Sequence, residues 1–94
     1  MRVEWLPEAD QDLTHQLDYI AERNPGVAVE MGDAVHAAVA RLKEFPESGR
    51  PGRVAGTREL VITGTPFIVF YRIEPKAVVV MHLLHVRRKW PRTQ

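Results

Sequence analysis

Four residues in the C-terminal half are of the types that handle a proton or an anionic oxygen: Arg58, Arg72, His85 and Arg87. An imidazole titrates near neutrality and serves as acid or base, and guanidinium groups stabilise developing negative charge. The four lie on three adjacent predicted strands or at their ends, so they could converge on one surface. Arg58 and Arg72 sit within apolar strands, where an unpaired guanidinium is costly. Each either pairs with Glu59, Glu74 or the acids of the helices, or lines a pocket. Glu59 is the one acidic side chain close to this set, and strand alternation points it away from Arg58. Arg87-Arg88-Lys89-Trp90 is a basic cluster with an aromatic, suited to a nucleic-acid or protein partner; the alternative is a solvated C-terminus.

The remaining histidines read differently. His82 alternates onto the face of Val80 and Leu84 and is expected to be a hydrogen-bonded core or edge residue. His15 and His36 fall on helical segments without the His-Glu-x-x-His spacing of a zinc site, and read as surface positions. The chain has no cysteine, which removes disulfides and thiolate zinc sites. No metal or cofactor is expected.

The net charge of +1 conceals a polarised chain. Residues 1–49 carry four basic and ten acidic side chains, a net −6, while residues 50–94 carry nine basic and two acidic, a net +7. Such segregation points to an anionic partner for the second half, nucleic acid or an acidic polypeptide, or to attraction between the halves within the fold. The 45% apolar content over 94 residues fits one small globular domain spanning the chain. The start lacks the apolar run of a signal peptide, and no stretch approaches the roughly 20 apolar residues of a membrane span. These features suggest a soluble cytoplasmic protein with no membrane partner.

The elements that must position these residues follow from periodicity. Val3 and Trp5 alternate with Arg2 and Glu4 as a short strand. Pro7 suits the first turn of a helix, with Glu8, Asp10 and Asp12 near its positive end. Ala9, Leu13, Leu17, Ile20 and Ala21 recur at helical spacing, and this helix should stop near Asn24. Asn24-Pro25 caps and opens a second helix. There Ala28, Met31, Val35, Ala38, Leu42 and Phe45 form an apolar seam about five turns long, ended by Pro46. Residues 47–53 read as a loop. Strands are predicted over 58–62, 67–73 and 77–86, joined by the short turns Gly64-Thr65-Pro66 and Glu74-Pro75-Lys76, which make an antiparallel meander. The predicted order is β-α-α-β-β-β, an α+β domain with a helical hairpin on one face of an antiparallel sheet.

Several segments now matter together: Val3-Glu4-Trp5-Leu6-Pro7-Glu8-Ala9 with Asp12-Leu13, Asp18-Tyr19-Ile20-Ala21, Asn24-Pro25, Phe45-Pro46 and Gly49-Arg50 with Gly52. They continue with Gly56-Thr57-Arg58-Glu59-Leu60, Val69-Phe70-Tyr71-Arg72, and the ending His85-Val86-Arg87-Arg88-Lys89-Trp90-Pro91. In this order and spacing, across nearly the whole chain, they resemble the ParE branch of the RelE/ParE superfamily. The resemblance implies the toxin of a type II toxin–antitoxin pair. It implies a cognate antitoxin, usually encoded beside the toxin, whose C-terminal segment orders as it wraps and neutralises it. The basic half of the chain complements an acidic segment of that kind. Promoter DNA would be reached only through the antitoxin.

The superfamily has two outputs. Its RelE branch cleaves ribosome-bound mRNA; its ParE branch binds DNA gyrase and blocks replication. Cleavage needs a base for the ribose 2′-hydroxyl, an acid for the leaving oxygen and cations for the transition state. RelE-like chains commonly supply a C-terminal tyrosine, or a histidine with a carboxylate. No tyrosine follows Tyr71 here, and Trp90 has no proton to give. The leading expectation is therefore a ParE-like toxin that inhibits gyrase by binding, using Arg58, Arg72, His85, Arg87, Arg88, Lys89 and Trp90 toward target or antitoxin. The alternative is a RelE-like endoribonuclease built on His85 with Arg58, Arg72 and Arg87. A third reading is a non-toxic chain that persists as an antitoxin-binding module.

Overall fold

In the computed structural model, residues 1–86 are described. Strand β1 (Arg2–Trp5) leads into helix α1 (Pro7–Ala21) and helix α2 (Pro25–Ala40). Two single 3-10 turns follow, Arg41–Lys43 and Pro46–Ser48, then β2 (Arg50–Pro51), β3 (Arg58–Val61), β4 (Phe67–Glu74) and β5 (Ala77–His85). The sheet order is β1-β5-β4-β3-β2. Strands β2 to β5 are antiparallel neighbours, as the short turns require.

The capping chemistry operates as expected at α2. The Asn24 Oδ1 accepts a hydrogen bond from Val27 N–H at 3.1 Å, and Pro25 occupies the first turn. Helix α1 starts at Pro7 without a side-chain cap. Ala9 and Leu13 of α1, with Val35 and Val39 of α2, pack onto Val69, Tyr71, Val78, Val80 and Leu83 of the sheet. No helix among the described residues is long and apolar enough to cross a membrane.

Four expectations need correction. The sheet is mixed, because β1 pairs in parallel with β5, Val3 opposite Val78 and Trp5 opposite Val80. The connection that a parallel pair requires runs here through both helices and strands β2 to β4. Second, the α-helical seam does not reach Phe45. Residue-before-proline sterics push Phe45 to φ −128° and ψ 66°, the chain tightens into 3-10 geometry after Ala40, and the Phe45 side chain is left 58% exposed. Third, the loop expected over 47–53 contains β2, whose Arg50 and Pro51 pair with Glu59 and Arg58.

Fourth, β5 carries a bulge. Phe70 pairs with His82 but Tyr71 pairs with Val80, so Met81 is an extra residue without a partner in β4. An extra residue reverses the alternation beyond it. Val78 and Val80 therefore face the helices together with Leu83, whereas strict alternation would have placed Leu83 with Val79 and Met81. His82 does not share a face with Val80, and it is half-exposed.

Candidate functional site

One row of the sheet does the most to shape the surface. Arg58 of β3 and Tyr71 of β4 are cross-strand partners, and Tyr71 lies wholly within the core. The Tyr71 hydroxyl donates to the carbonyl of Pro46 at 2.6 Å and accepts from Gly49 N–H at 2.9 Å. The Arg58 Nη1 donates to the carbonyls of Gly49 at 2.7 Å and Glu47 at 3.2 Å. Two neighbouring side chains thus hold four backbone groups of the 46–49 segment. Gly49 is required by the closeness of this fit. A Cβ there would lie 2.6 Å from the Tyr71 hydroxyl and 2.9 Å from the Glu59 carbonyl oxygen. Burial raises the pKa of Tyr71 above its usual value, and the Gly49 N–H and the Arg58 charge offset part of that rise.

The segment so held forms one wall of a groove of about 970 Å³. Ala34, Ala37 and Ala38 of α2, Phe45 and Pro46 beside the held segment, and Val61 of β3 line it. Val61 is 49% exposed. The groove lies beside Leu60 and Val61 of β3, beyond Arg58 and Glu59, the two residues with which β2 pairs.

On the other face of β3, Glu59 is only 3% exposed. Its Oε1 accepts from Arg50 Nη2 at 3.1 Å, and its Oε2 accepts from Arg53 N–H at 3.1 Å and Arg53 Nε at 2.9 Å. Burial alone would raise its pKa. The side-chain and backbone hydrogen bonds of Arg53, with those of Arg50, outweigh that and hold the carboxyl below its ordinary range. Arg53 also stacks over Phe70, 5.5 Å from the ring centroid. The carboxylate is committed to pinning the 50–53 turn.

The structure does not bring Arg58, Arg72 and His85 together. Arg72 alternates onto the face opposite Tyr71 and pairs with Glu74 at 2.7 Å, its Nη1 3.3 Å from the Met81 sulfur. His85 lies beside Phe67, ring centroids 6.1 Å apart and nearly perpendicular. Its row is four residues along β4 from the Arg58–Tyr71 row, about 13 Å at roughly 3.3 Å per strand residue. His85 instead lines a second groove with Tyr19, Met31 and Pro66. His82 Nδ1 lies 3.3 Å from Asp12 Oδ2, which also accepts from Leu83 N–H at 3.0 Å. His15 and His36 are exposed, His36 with its ring 5.4 Å from that of Trp5. Arg87, Arg88, Lys89 and Trp90 lie outside the described residues. Among the described residues, no group of three or more His, Asp or Glu side chains is arranged to hold a metal ion.

Sequence reasoning missed Tyr71, the role of Glu59 and the groove. Gly49 and Gly52 are the local signals of a close backbone approach.

Residues 3–90 match the family described as the ParE toxin of type II toxin–antitoxin systems, parDE. This chain belongs to the ParE toxin family. Its ParE-family sequence is 37% identical over 90 residues to Y4kP of Sinorhizobium fredii (strain NBRC 101917 / NGR234), a protein named as a candidate toxin, covering 96% of this chain and 93% of that one. The ParE-family fold matches a chain of the chromosomal ParDE system from P. aeruginosa, with TM-score 0.82 and 24% identity over 90% of this chain and 95% of that one. It also matches a chain of the toxin–antitoxin complex RelBE2 from Mycobacterium tuberculosis, with TM-score 0.61 and 26% identity over 89% and 95% of the two chains. The α+β architecture of helical hairpin on sheet is therefore the RelE/ParE-like fold.

Proposed function

We propose that this ParE-family toxin arrests replication by binding DNA gyrase, performing no chemistry of its own, and that a cognate antitoxin neutralises it. The observation that supports the binding reading is the dispersal of the polar groups. Arg58 is committed to two backbone carbonyls, Glu59 to two arginines, and Arg72 lies on the opposite face from Arg58. Cleavage of a phosphodiester needs acid, base and cation within hydrogen-bond reach of one another's substrate atoms. Arg72, His85 and the basic run Arg87, Arg88, Lys89 and Trp90 are assigned to contacts with target or antitoxin.

The groove between α2 and β3 is the proposed seat of the antitoxin's C-terminal segment. Its alanine lining lets an incoming backbone approach closely, and the exposed Phe45 and Val61 offer apolar surface that a partner would cover. Solved relatives of this fold come from toxin–antitoxin systems, which supports a partner of that kind. Promoter DNA is reached through the antitoxin alone.

The test is a supercoiling and DNA-cleavage assay with purified gyrase. Micromolar toxin is expected to inhibit supercoiling or trap cleaved DNA, and an equimolar antitoxin to reverse it. Unchanged gyrase behaviour at that concentration refutes the proposal.

A further inference from the structure

We infer that Arg58 and Tyr71 form a latch that positions the wall of the antitoxin groove, so that Arg58 controls antitoxin affinity without touching the antitoxin. The inference rests on the groove being the antitoxin seat, as proposed above. Neither residue lines the groove. Both reach the segment that does, from within the sheet, through the Pro46, Glu47 and Gly49 carbonyls and the Gly49 N–H. The hydrogen bonds decide where the wall stands. Phe45 leaves helical geometry because Pro46 follows it, and a 3-10 turn of three residues has little rigidity of its own. What fixes its distance from β3 is the reach of Arg58 and the Tyr71 hydroxyl across the sheet row they share.

The geometry also explains why an arginine stands there. Its terminal Nη1 donates to two carbonyls at once, with the charge strengthening both contacts. The Glu47 carbonyl lies in the 3-10 turn and the Gly49 carbonyl in the extended residue that follows it. A lysine keeps the charge on a shorter group, while a methionine keeps only the stem. In the reading from sequence, Arg58 is a contact for target or antitoxin; in the structure it acts one layer behind the contact.

A partner that must insert between Phe45 and Val61 senses the separation of those walls. Releasing the latch lets the 46–49 segment sample several positions, which the antitoxin must narrow again on binding, so dissociation accelerates.

The experiment measures dissociation of the antitoxin encoded beside the toxin from the full-length chain, by chase with unlabelled toxin. The variants are Arg58→Met, Arg58→Lys and Tyr71→Phe. Val39→Ala, a core variant that removes no hydrogen bond to the 46–49 segment, gives the baseline for general destabilisation, and Val61→Glu tests the groove. Hydrogen exchange at the Gly49 amide reports the latch directly. Arg58→Met and Tyr71→Phe are expected to raise the dissociation rate tenfold or more over the Val39→Ala baseline, with faster Gly49 exchange, and Arg58→Lys to recover part of the loss. Dissociation within twofold of the baseline in both, while Val61→Glu weakens binding, overturns the latch and leaves the groove standing. Unchanged binding by Val61→Glu removes the groove as the antitoxin seat, and the latch inference falls with it. Should Arg58→Met not fold, Tyr71→Phe decides the same question, since it deletes a single oxygen and keeps the ring.

Discussion

Replacing Glu59 by glutamine is a demanding test of how the sheet and the 50–53 turn are held. The side chain is 3% exposed and receives hydrogen bonds on both oxygens, from Arg50 and Arg53 Nη2 on Oε1 and from the Arg53 backbone and Nε on Oε2. In either amide orientation, the substituted side chain would turn an NH2 group toward donors. At least two charge-assisted contacts are lost, each worth about 1.5–3 kcal/mol when buried. The arginine ends are 55% and 39% exposed, so water recovers part of this, and the expected loss is about 2–3 kcal/mol. A domain of this length is stable by roughly 5–14 kcal/mol, so the variant should forfeit a large fraction. The sign of the pH dependence follows from the lowered pKa. A carboxyl whose pKa is depressed on folding contributes stability above its unfolded value and loses it as pH falls through the folded one. Urea unfolding of parent and Glu59→Gln should therefore differ most near neutral pH and converge in acid. A difference below about 0.5 kcal/mol at pH 7, on the scale of an ordinary surface substitution, or one that does not shrink in acid, refutes the account of Glu59.

Gly49→Ala forces a methyl against the Tyr71 hydroxyl and the Glu59 carbonyl. It should cost about 1–3 kcal/mol by overpacking, read as a lowered Tm with residual antitoxin binding weakened. Tyr71 has a raised pKa, so its contribution is complete below the usual tyrosine value and is lost as pH rises through the folded one. The parent should lose stability in alkali more steeply than Tyr71→Phe, and parallel alkaline curves would contradict this. Asp12→Ala removes the acceptor for Leu83 N–H where β5 runs past the end of β1. Faster exchange at the Leu83 amide, with about 1 kcal/mol lost, is expected by hydrogen exchange; unchanged protection there rules out the clamp.

Much of this fold is legible because its apolar positions recur at a single period within each element. The Ala9-Leu13-Leu17 stripe, the Asn24-Pro25 start and the three β-rich runs separated by turn residues all report local physics. The parallel seat of β1 is not legible, since Val3 and Val78 meet only after the helical hairpin and three further strands have returned the chain. The bulge at Met81 is hidden for another reason. Ala77 to Val80 are buried on both faces, so the apolar run has no alternation whose slip could be noticed. Phe45 misleads because its spacing continues the α2 seam, while Pro46 dictates the backbone. The site is harder still. Arg58, Arg72 and His85 could be named as residue types, but their convergence depended on strand register, and the bulge and the four-residue offset separate them. Glu59 could be seen as an isolated acid, yet its arginine partners come from a turn with no periodicity of its own. Backbone carbonyls, which take up Arg58, carry no residue-specific signal at all.

The proposed function requires that this toxin stop replication and leave translation running. Pulse-labelling with thymidine and with amino acids, minutes after expression of the toxin without its antitoxin, addresses it most directly. Thymidine incorporation should fall first while amino-acid incorporation continues. Collapse of protein synthesis first would contradict the account and make His85 and Arg87 the residues to test for ribonuclease chemistry.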